Sequence, residues 1–373
     1  MGTGRQGSGA MRLTIVVGMT AGGVGAHVRS LVERLGGLGI EVGVAGPPET
    51  QERFDFTGAG ARFAPVRIGS APNPPADLAA VRGLQRAFRG TDVVHAHGFR
   101  AAALSGLALG RRRDGRVPLL ATWHNAVLAT GPKRILIGAL ERLAARRADV
   151  TLGVSSDLVA RARELGAPDV RLAPVAAPRV QPAKRDADAV RAELGATGRP
   201  LLLAVNRLAE QKGLDVLLAA AQRWKERTPS PLVVVAGGGP LEDELNRAIA
   251  AGELPVRLLG HRSDVPDLLA AADVYVLTSV WEGRPLVIQE AMQVGLPVVT
   301  TAAGGVPELV GDGAHVVPVG DANAVADAVS ALLDDPERRA ALGERGRRHA
   351  ATWPDEDDNA RLVAGLCRDL AGR

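Results

Sequence analysis

The stretch SVWEGRPLVIQEAMQVGLPVV, residues 279–299, has the pattern of a loop, a helix and a strand. A buried strand is predicted to end just before it at Leu277, and the next strand is predicted at 297–300. Between them, Glu282 and Gly283 lie in a short loop. Pro285 suits the first position of the helix, because the N–H that proline lacks would be unpaired there. This order is typical of one unit of a parallel α/β sheet.

The same alternation extends outward through most of the chain. Strands are predicted at 13–17, 41–44, 92–95, 118–122 and 149–154, and helices at about 24–38, 101–109 and 132–147. A second series has strands at 201–205, 231–236, 256–259, 273–277 and 297–300, and the chain is helical after Asp321. Apolar strands separated by helices predict an α/β fold of two Rossmann-like, doubly wound parallel-sheet domains that face each other across a cleft.

Composition limits the kind of partner. The 373 residues are 46% hydrophobic, enough for two cores. Lys and Arg total 45 against 41 Asp and Glu, and aromatic residues make up only 3%, which argues against nucleic acid as a partner. Cys367 is the only cysteine, so an intramolecular disulfide and a thiolate zinc site are excluded. The apolar run at 13–17 is too short for a signal peptide or a membrane span, so we expect a cytoplasmic protein.

Changes in composition predict the domain boundaries. Residues 1–10 are glycine-rich and polar and are expected to be disordered, and the first domain covers 11–178. Proline, glycine and charged residues accumulate at 179–198, which is the composition of a hinge or linker. The second domain covers 199–352, and a last helix within 353–373 is expected to cross back to the first domain.

The loop and helix of the opening stretch predict an anion site. A helix start carries unpaired backbone amides and the positive end of the helix dipole, so it can hold a diphosphate without a side-chain cation. Glu282 lies in the loop and Glu290 about one turn into the helix. Carboxylates at two depths can hold different hydroxyl groups of one ligand.

These motifs resemble family 4 of the retaining glycosyltransferases, which have the GT-B fold. The likeness lies in Glu-Gly-x-Pro at 282–285 and in Glu-Ala-Met-x-x-Gly-x-Pro-Val-Val at 290–299. The resemblance implies that Glu290 binds the ribose hydroxyls and Glu282 the hydroxyls of the donor sugar, with further donor contacts from Gly283, Arg284, Pro285 and Leu286. The family often has Phe where Arg284 stands. The alternative is a pair of glutamates on a surface helix.

Two cations and a glycine-rich turn extend the resemblance. Arg207 follows a predicted strand end and Lys212 precedes a helix, and the family uses an Arg and a Lys here to stabilise the departing diphosphate. The turn that contains Gly238 resembles the family's Gly-x-Gly-Pro element, and Arg262 stands in the stretch expected beside the nucleobase. Solvated cations and simple close packing are the alternatives.

In the first domain, a glycine-rich turn contains Gly22, Gly23 and His27. It lacks the spacing Gly-x-Gly-x-x-Gly, which disfavours a nicotinamide enzyme. It resembles the family's Gly-Gly-x-x-x-His-Val element, which lines the cleft against the donor diphosphate and the acceptor. A tight turn with a packed histidine is the alternative.

Three further histidines lie at the ends of later predicted strands. His95 and His97 lie two residues apart on one face of a strand, which suits a metal pair, but no third ligand is evident and the family does not ordinarily need a metal. We therefore expect His97 to line the cleft and predict no metal and no cofactor. His124 resembles the histidine of the family's Thr-x-His element near the donor sugar, with burial as the alternative.

Two other features raise alternatives. The triplets Asp186-Ala-Asp188 and Asp355-Glu-Asp357 resemble the metal-binding Asp-x-Asp of the GT-A fold, but neither follows an apolar strand. The segment 133–147 is amphipathic, with Leu136, Leu140 and Leu143 at helical spacing. A helix packed on the core is favoured for it, and peripheral contact with the inner face of a membrane is the second interpretation.

The resemblance implies a retaining, metal-independent glycosyltransferase. Its donor is expected to be a UDP- or GDP-sugar, and its acceptor a hydroxyl group on an envelope lipid, a glycan or a small metabolite. An epimerase of sugar nucleotides with the same fold is the first alternative, and a catalytically silent nucleotide-sugar-binding protein is the second.

Overall fold

The computed structural model describes residues 10–20, 22–69, 71–111, 115–127 and 131–372. The chain divides into two compact units, Met1–Ala176 with Pro354–Arg373, and Ala177–Trp353. Of the segment predicted to be disordered, 1–10, all but Ala10 lies outside the described residues. Each unit has its own parallel sheet, so the prediction of two doubly wound α/β domains is confirmed.

The first unit alternates strands and helices along the chain. Its strands are β1 (Met11–Val17), β2 (Ile40–Gly46), β3 (Arg62–Pro65), β4 (Val93–His97), β5 (Leu119–Trp123), β6 (Val150–Gly153) and β7 (Val170–Leu172). Its helices are α1 (Gly23–Leu35), α2 (Pro48–Phe54), α3 (Pro74–Ala87), α4 (Phe99–Leu109), α5 (Gly131–Arg147), α6 (Ser156–Glu164) and, from the end of the chain, α15 (Glu356–Ala371).

The strand order in the first unit is β3-β2-β1-β4-β5-β6-β7, with all neighbours parallel. The central strands β1, β4 and β5 are buried almost throughout because helices cover both faces. The chain order reverses between β1 and β4, and sheets of this kind bind ligands beyond the carboxyl ends of the strands at such a switch point.

The last helix, α15, packs against α1 in the first unit. Asp355 caps it in a capping box with Asp358, so the second acidic triplet has a structural role at a helix start. Val363 and Cys367 enter the same core cluster as β1, and Arg34 on α1 bonds to Glu356 at 2.9 Å. Apolar burial and this ion pair together hold the end of the chain on the first unit.

The second unit repeats the pattern. Its strands are β8 (Leu201–Val205), β9 (Leu232–Ala236), β10 (Val256–Leu258), β11 (Val274–Leu277), β12 (Val298–Thr301) and β13 (His315–Val317). Its helices are α7 (Ala187–Leu194), α8 (Leu214–Trp224), α9 (Glu242–Gly252), α10 (Val265–Ala271), α11 (Leu286–Gln293), α12 (Val306–Val310), α13 (Ala322–Asp334) and α14 (Pro336–Ala350).

The second sheet has the order β10-β9-β8-β11-β12-β13, and its neighbours are parallel. The order reverses between β8 and β11. The carboxyl ends of these two adjacent strands therefore form the expected ligand edge of the second unit. Arg207 follows β8, and the opening stretch 279–299 follows β11.

The stretch 179–198, expected to be a linker, contains helix α7. Asp186 caps α7 by accepting from the Ala189 N–H at 3.2 Å, which gives the first acidic triplet a structural role too. Val190 and Leu194, four residues apart, are buried in the core of the second unit. The prolines and charged residues around this apolar pair indicated a linker, so the sequence analysis did not predict the helix.

Helix α5 differs from the amphipathic helix that its leucines predicted. Its buried residues are Glu141, Ala144 and Ala145, whereas Ile135 is 79% and Leu136 is 55% exposed. Glu141 is paired with Arg161 at 2.7 Å, which explains how a glutamate occupies the packed side. Only the second half of α5 is thus packed as expected. In the described part of the chain, no helix is both long and apolar enough to cross a bilayer.

Candidate functional site

The second unit places two of the predicted side chains in direct contact. Lys212 and Glu282 lie 70 positions apart in sequence, and Lys212 Nζ donates to Glu282 Oε1 at 2.5 Å. The Ser279 hydroxyl donates to the same oxygen at 2.7 Å. Glu282 is only 7% exposed, and Ser279 is fully buried. The carboxylate is therefore held by a cation and a hydroxyl in one fixed orientation.

Backbone contacts tie the Lys212 loop to the Glu282 loop. Gln211 Nε2 donates to the carbonyl oxygen of Trp281 at 2.7 Å, and the Gln211 carbonyl accepts from the Val280 N–H at 2.8 Å. The next residue, Gly213, has φ +56°, and a Cβ there would lie 2.2 Å from the Thr278 carbonyl oxygen. Only glycine permits this approach, which sets the distance between the two loops.

Arg207 stands just after the end of β8 and is exposed. Within the described residues its guanidinium has no hydrogen-bond or ion-pair partner. A cation at this edge of the sheet, close in sequence to Lys212, is available to an anionic ligand. Both cations predicted to stabilise the diphosphate therefore follow β8, at the switch point.

Helix α11 starts one residue later than the sequence predicted. It begins at Leu286, with Pro285 as the preceding cap residue, and its first amides have no partner within the helix. Glu290 lies further along α11 and is half-buried, without a hydrogen-bond partner among the described residues. Burial raises the pKa of its carboxyl group. An unpaired carboxylate on the first turns of α11 is suited to receive hydroxyl donors.

Replacing Glu290 with glutamine is expected to stabilise the free protein at neutral pH by about 1 kcal/mol. The raised pKa means that the folded state disfavours the charged carboxylate, so the penalty appears as the pH rises through the unfolded pKa toward the folded one. The gain should shrink as the pH falls from the raised pKa of Glu290 toward the ordinary pKa of a glutamate, and it should be absent below that. Thermal unfolding of wild type and E290Q from pH 7.5 to pH 4 measures it. The exposed Glu226→Gln is the control, and a gain that is equal in both variants would contradict the assignment.

Arg284 turns toward an aromatic side chain at the end of the unit. Its guanidinium carbon lies 5.6 Å from the ring centroid of Trp353, which is a cation–π distance. Burial lowers the pKa of Arg284 to about 10. The side chain that replaces the family's usual Phe is thus packed rather than solvated. Gly283, the preceding residue, is buried in the loop after Glu282.

The glycine-rich turn after β9 is a close-packed connection. Gly237 has φ +141°, and a Cβ there would lie 1.8 Å from the Asn206 carbonyl oxygen, while a Cβ on Gly239 would lie 2.3 Å from that of Leu208. Gly238 between them has no such contact; the nearest atom to its Cβ position is 3.8 Å away. Close backbone contacts therefore require glycine at the two flanking positions. At Gly238 they do not, because the space around its Cβ position is open.

The guanidinium group of Arg262, which was predicted to lie beside the nucleobase, forms hydrogen bonds with two carboxylates. Its Nε donates to Asp264 Oδ1 at 2.7 Å, and its Nη1 donates to Glu193 Oε1 at 3.1 Å. These bonds raise the pKa of Arg262. The side chain links α7 to the loop before α10. Its role toward a base stays a prediction.

In the first unit, Gly22 and Gly23 form the start of α1 and are exposed. A Cβ on Gly22 would meet nothing within 4 Å, so open space rather than packing surrounds this residue. His27, one turn into α1, is buried. The turn therefore leads from the carboxyl end of β1 into a helix whose first amides have no intrahelical partner.

Four histidines come together at the carboxyl ends of the central strands of the first unit. His97 Nδ1 and His124 Nε2 lie 2.9 Å apart, and His95 Nε2 lies 2.7 Å from Thr122 Oγ1. The ring of His27 is edge-on to both His97 and His124, at centroid distances of 5.6 and 5.8 Å. Sequence reasoning selected three of these rings one at a time. It did not foresee the cluster, because the contacts depend on the order of β1, β4 and β5.

All four imidazoles are buried, and burial lowers their pKa values. The pKa is about 4 for His27 and about 3 for His95, and it falls well below the ordinary range for His97 and His124. At neutral pH the cluster is therefore uncharged. Within the described ranges, no group of three or more His, Cys, Asp or Glu side chains is arranged to hold a metal ion.

Ser279 belongs to the candidate site, although sequence reasoning did not select it. Its hydroxyl fixes Glu282, and its carbonyl oxygen accepts from the Thr301 hydroxyl at 2.6 Å. The signal was present as a serine three positions before a glutamate, a spacing at which the two side chains reach each other in a tight loop. Sequence reasoning likewise assigned no role to His95, although this residue lies next to His97 in the cluster.

Comparison with known protein families matches both halves of the chain. The family model described as "Glycosyl transferase 4-like domain" matches residues 22–178, and the one described as "Glycosyl transferases group 1" matches residues 186–349. The matched segments contain all of the predicted site residues.

Individual relatives extend this comparison. The chain is 31% identical over 363 residues to the 2-deoxystreptamine N-acetyl-D-glucosaminyltransferase of Streptomyces fradiae, covering 85% of this chain and 84% of that one. It is 33% identical over 244 residues to the alpha-D-kanosaminyltransferase of Streptomyces kanamyceticus, covering 62% and 63%. Two mannosyltransferases matched at 33% and 34% identity have 49% and 50% of their length covered by the chain.

A solved structure shares the fold. The crystal structure of Anabaena HepE in complex with UDP-glucose superposes with a TM-score of 0.80 at 21% identity, covering 96% of this chain and 100% of that one. At this level of identity the likeness establishes the fold alone.

Proposed function

Since the chain belongs to family 4 of the glycosyltransferases, with their GT-B type of fold, we propose that it transfers a sugar from a nucleoside-diphosphate sugar to an acceptor hydroxyl group. The observation that carries the proposal is the Lys212–Glu282 pair at the switch point of the second sheet, with Arg207 and the start of α11 at the same edge of that sheet. Cations suit a diphosphate, and an oriented carboxylate suits sugar hydroxyls.

We assign the donor to the second unit. The amides at the start of α11, with Gly283, Pro285 and Leu286, face the diphosphate, and Glu290 accepts hydrogen bonds from the ribose. Glu282 accepts hydrogen bonds from the donor sugar. A UDP- or GDP-sugar fits these contacts, and the complex of Anabaena HepE with UDP-glucose makes UDP-sugars the first donors to test.

The proposed reaction retains configuration at the anomeric carbon. The bond from this carbon to the diphosphate oxygen breaks, and the acceptor oxygen forms its bond on the same face. The acceptor proton passes to the departing phosphate, which leaves as the nucleoside diphosphate. Arg207 and Lys212 stabilise the negative charge that grows on this group, so the protein's own cations serve the leaving group without a metal.

The acceptor is assigned to the first unit. Gly22, His27 and His97 lie at the carboxyl edge of its sheet, together with Gly23 and His124. Uncharged imidazoles offer no cation to a phosphate, so this edge suits a neutral acceptor that bears hydroxyl groups. Contact with a membrane-bound acceptor stays a prediction. It is favoured by the exposed Ile135 and Leu136 on α5.

A panel of sugar nucleotides should identify the donor by thermal shift. A donor present at one hundred times its dissociation constant is expected to stabilise the protein by about 2.7 kcal/mol. The panel pairs each UDP-sugar with the matching GDP-sugar and includes free UDP and GDP. Stabilisation by none of them would contradict the donor assignment.

Turnover of the identified donor then separates the alternatives. Transfer to acceptor extracts, unchanged by EDTA and with an α-linked product from an α-linked donor, is the expected result. Conversion of the sugar nucleotide without any acceptor would indicate an epimerase. Tight binding without turnover, unaffected by Glu282→Ala, would indicate a silent binding protein.

A further inference from the structure

The hydrogen bond between His97 and His124 determines which nitrogen of His124 carries a proton. Both rings are neutral at neutral pH because burial lowers their pKa values, so each has one N–H and one lone pair. His97 Nδ1 and His124 Nε2 are 2.9 Å apart, and one of these two atoms donates to the other. Two arrangements of the protons therefore exist.

The remaining nitrogen of His97 distinguishes the two arrangements. His97 Nε2 is buried and has no hydrogen-bond partner. If His124 donated, His97 Nε2 would carry a buried N–H without an acceptor, which is rarer and costlier than an unpaired lone pair. If His97 Nδ1 donates, its Nε2 is a bare lone pair. The second arrangement leaves the proton of His124 on Nδ1.

The neighbouring pair follows the same rule. His95 Nδ1 is buried without a partner, and His95 Nε2 lies 2.7 Å from the Thr122 hydroxyl oxygen. Donation from Nε2 again leaves a lone pair, rather than an N–H, at the unpartnered position. One rule of proton placement therefore fits both strand histidines.

The pairing of two strands places these rings next to each other. His95 and His97 lie two positions apart on β4, and His97 pairs in register with Thr122 on β5, two residues before His124. The rings of His97 and His124 are stacked, with 17° between their planes and centroids 5.2 Å apart. His124 directly follows Trp123, the last residue of β5, so the strand register brings the two rings together.

We propose that His97 is a positioning residue that locks His124 in the Nδ1–H tautomer, so that His124 offers a hydrogen-bond donor to a sugar hydroxyl of the substrate at this edge of the first sheet. His124 Nδ1 has no partner among the described residues and does not share the burial of His97 Nε2. The role toward the sugar rests on the proposed function; the tautomer does not. In this arrangement His124 is not a general base.

Nitrogen-15 NMR of the free wild-type protein tests the tautomer directly. Long-range proton–nitrogen correlations distinguish the protonated from the bare ring nitrogen, because the two resonate far apart. We expect His124 to show Nδ1 protonated and Nε2 bare from pH 6 to pH 8. A protonated Nε2 on His124 in the wild type would overturn the proposal.

Three substitutions test the role of His97. Asn carries an amide N–H that can donate to His124 Nε2 as the imidazole Nδ1–H does, so H97N should keep the tautomer, whereas an ionised Asp only accepts and H97D should place a proton on His124 Nε2. Leu offers neither, and H97L should give a mixture. The matched control is His95→Asn, which should leave the tautomer of His124 unchanged. Thermal unfolding of each variant shows which of them fold.

Kinetics of sugar transfer give the second readout. H97D and H97L are expected to lower kcat/KM about tenfold, the worth of one hydrogen bond, and H97N should recover most of the loss. An unchanged tautomer in a folded H97D or H97L would show that His97 does not set it. A wild type with the expected tautomer but no sugar transfer would refute the proposed function while supporting the tautomer assignment.

Discussion

Lys212→Ala and Arg207→Ala are each expected to lower the kcat of sugar transfer by about 10²- to 10³-fold. The diphosphate gains negative charge as the glycosidic bond breaks, so a fixed cation stabilises the transition state more than the bound substrate. Lys212 is held in place by Glu282, and Arg207 follows the adjacent strand β8. The loss should therefore appear in kcat as well as in the affinity for the nucleoside diphosphate.

The chain provides a matched control for this experiment. Lys225, at the end of α8, pairs with the exposed Glu253 at 3.1 Å, and Lys225→Ala removes the same charge away from the carboxyl edge of the sheet. Transfer by this variant should remain close to that of the wild type. Steady-state kinetics with saturating donor measure kcat for each variant. Normal turnover in both K212A and R207A would refute the assignment of these cations to the leaving group.

The central strands were predictable because they are buried on both faces. The strand predicted at 201–205 is β8, and the strand predicted at 273–277 differs from β11 by one residue. The edge strands β3, β7 and β13 were not foreseen. They are short and only partly buried, so each lacks the continuous apolar run on which the prediction depended.

The candidate site was predictable as a set of residues but not as a set of contacts. Arg207, Lys212 and Glu282 were placed at one end of the second sheet because motifs after parallel strands meet at the same edge. That Lys212 bonds to Glu282 depends on the close approach at Gly213, which requires coordinates. The histidine cluster shows the same limit, since β1, β4 and β5 are neighbours in space but not in sequence.

Glu282→Gln is expected to reduce kcat/KM for the donor by about 10²- to 10³-fold. Glutamine keeps the shape and one oxygen but lacks the charge that binds Lys212 and strengthens hydrogen bonds from sugar hydroxyls. The exposed Glu244→Gln, on the first turn of α9, is the control and should retain wild-type kinetics. A similar kcat/KM in E282Q and the wild type would contradict a role for this carboxylate in donor binding.

A double-mutant cycle tests whether Lys212 and Glu282 act as one unit. Each side chain is the other's charged partner at 2.5 Å, so removing either one also displaces the other from its working position. Independent contributions would multiply in K212A/E282A. Coupled residues instead give a double variant that is little slower than the slower single variant. We expect the coupled result in kcat/KM. One ion pair positions both Glu282, which binds the donor sugar, and Lys212, which stabilises the departing diphosphate.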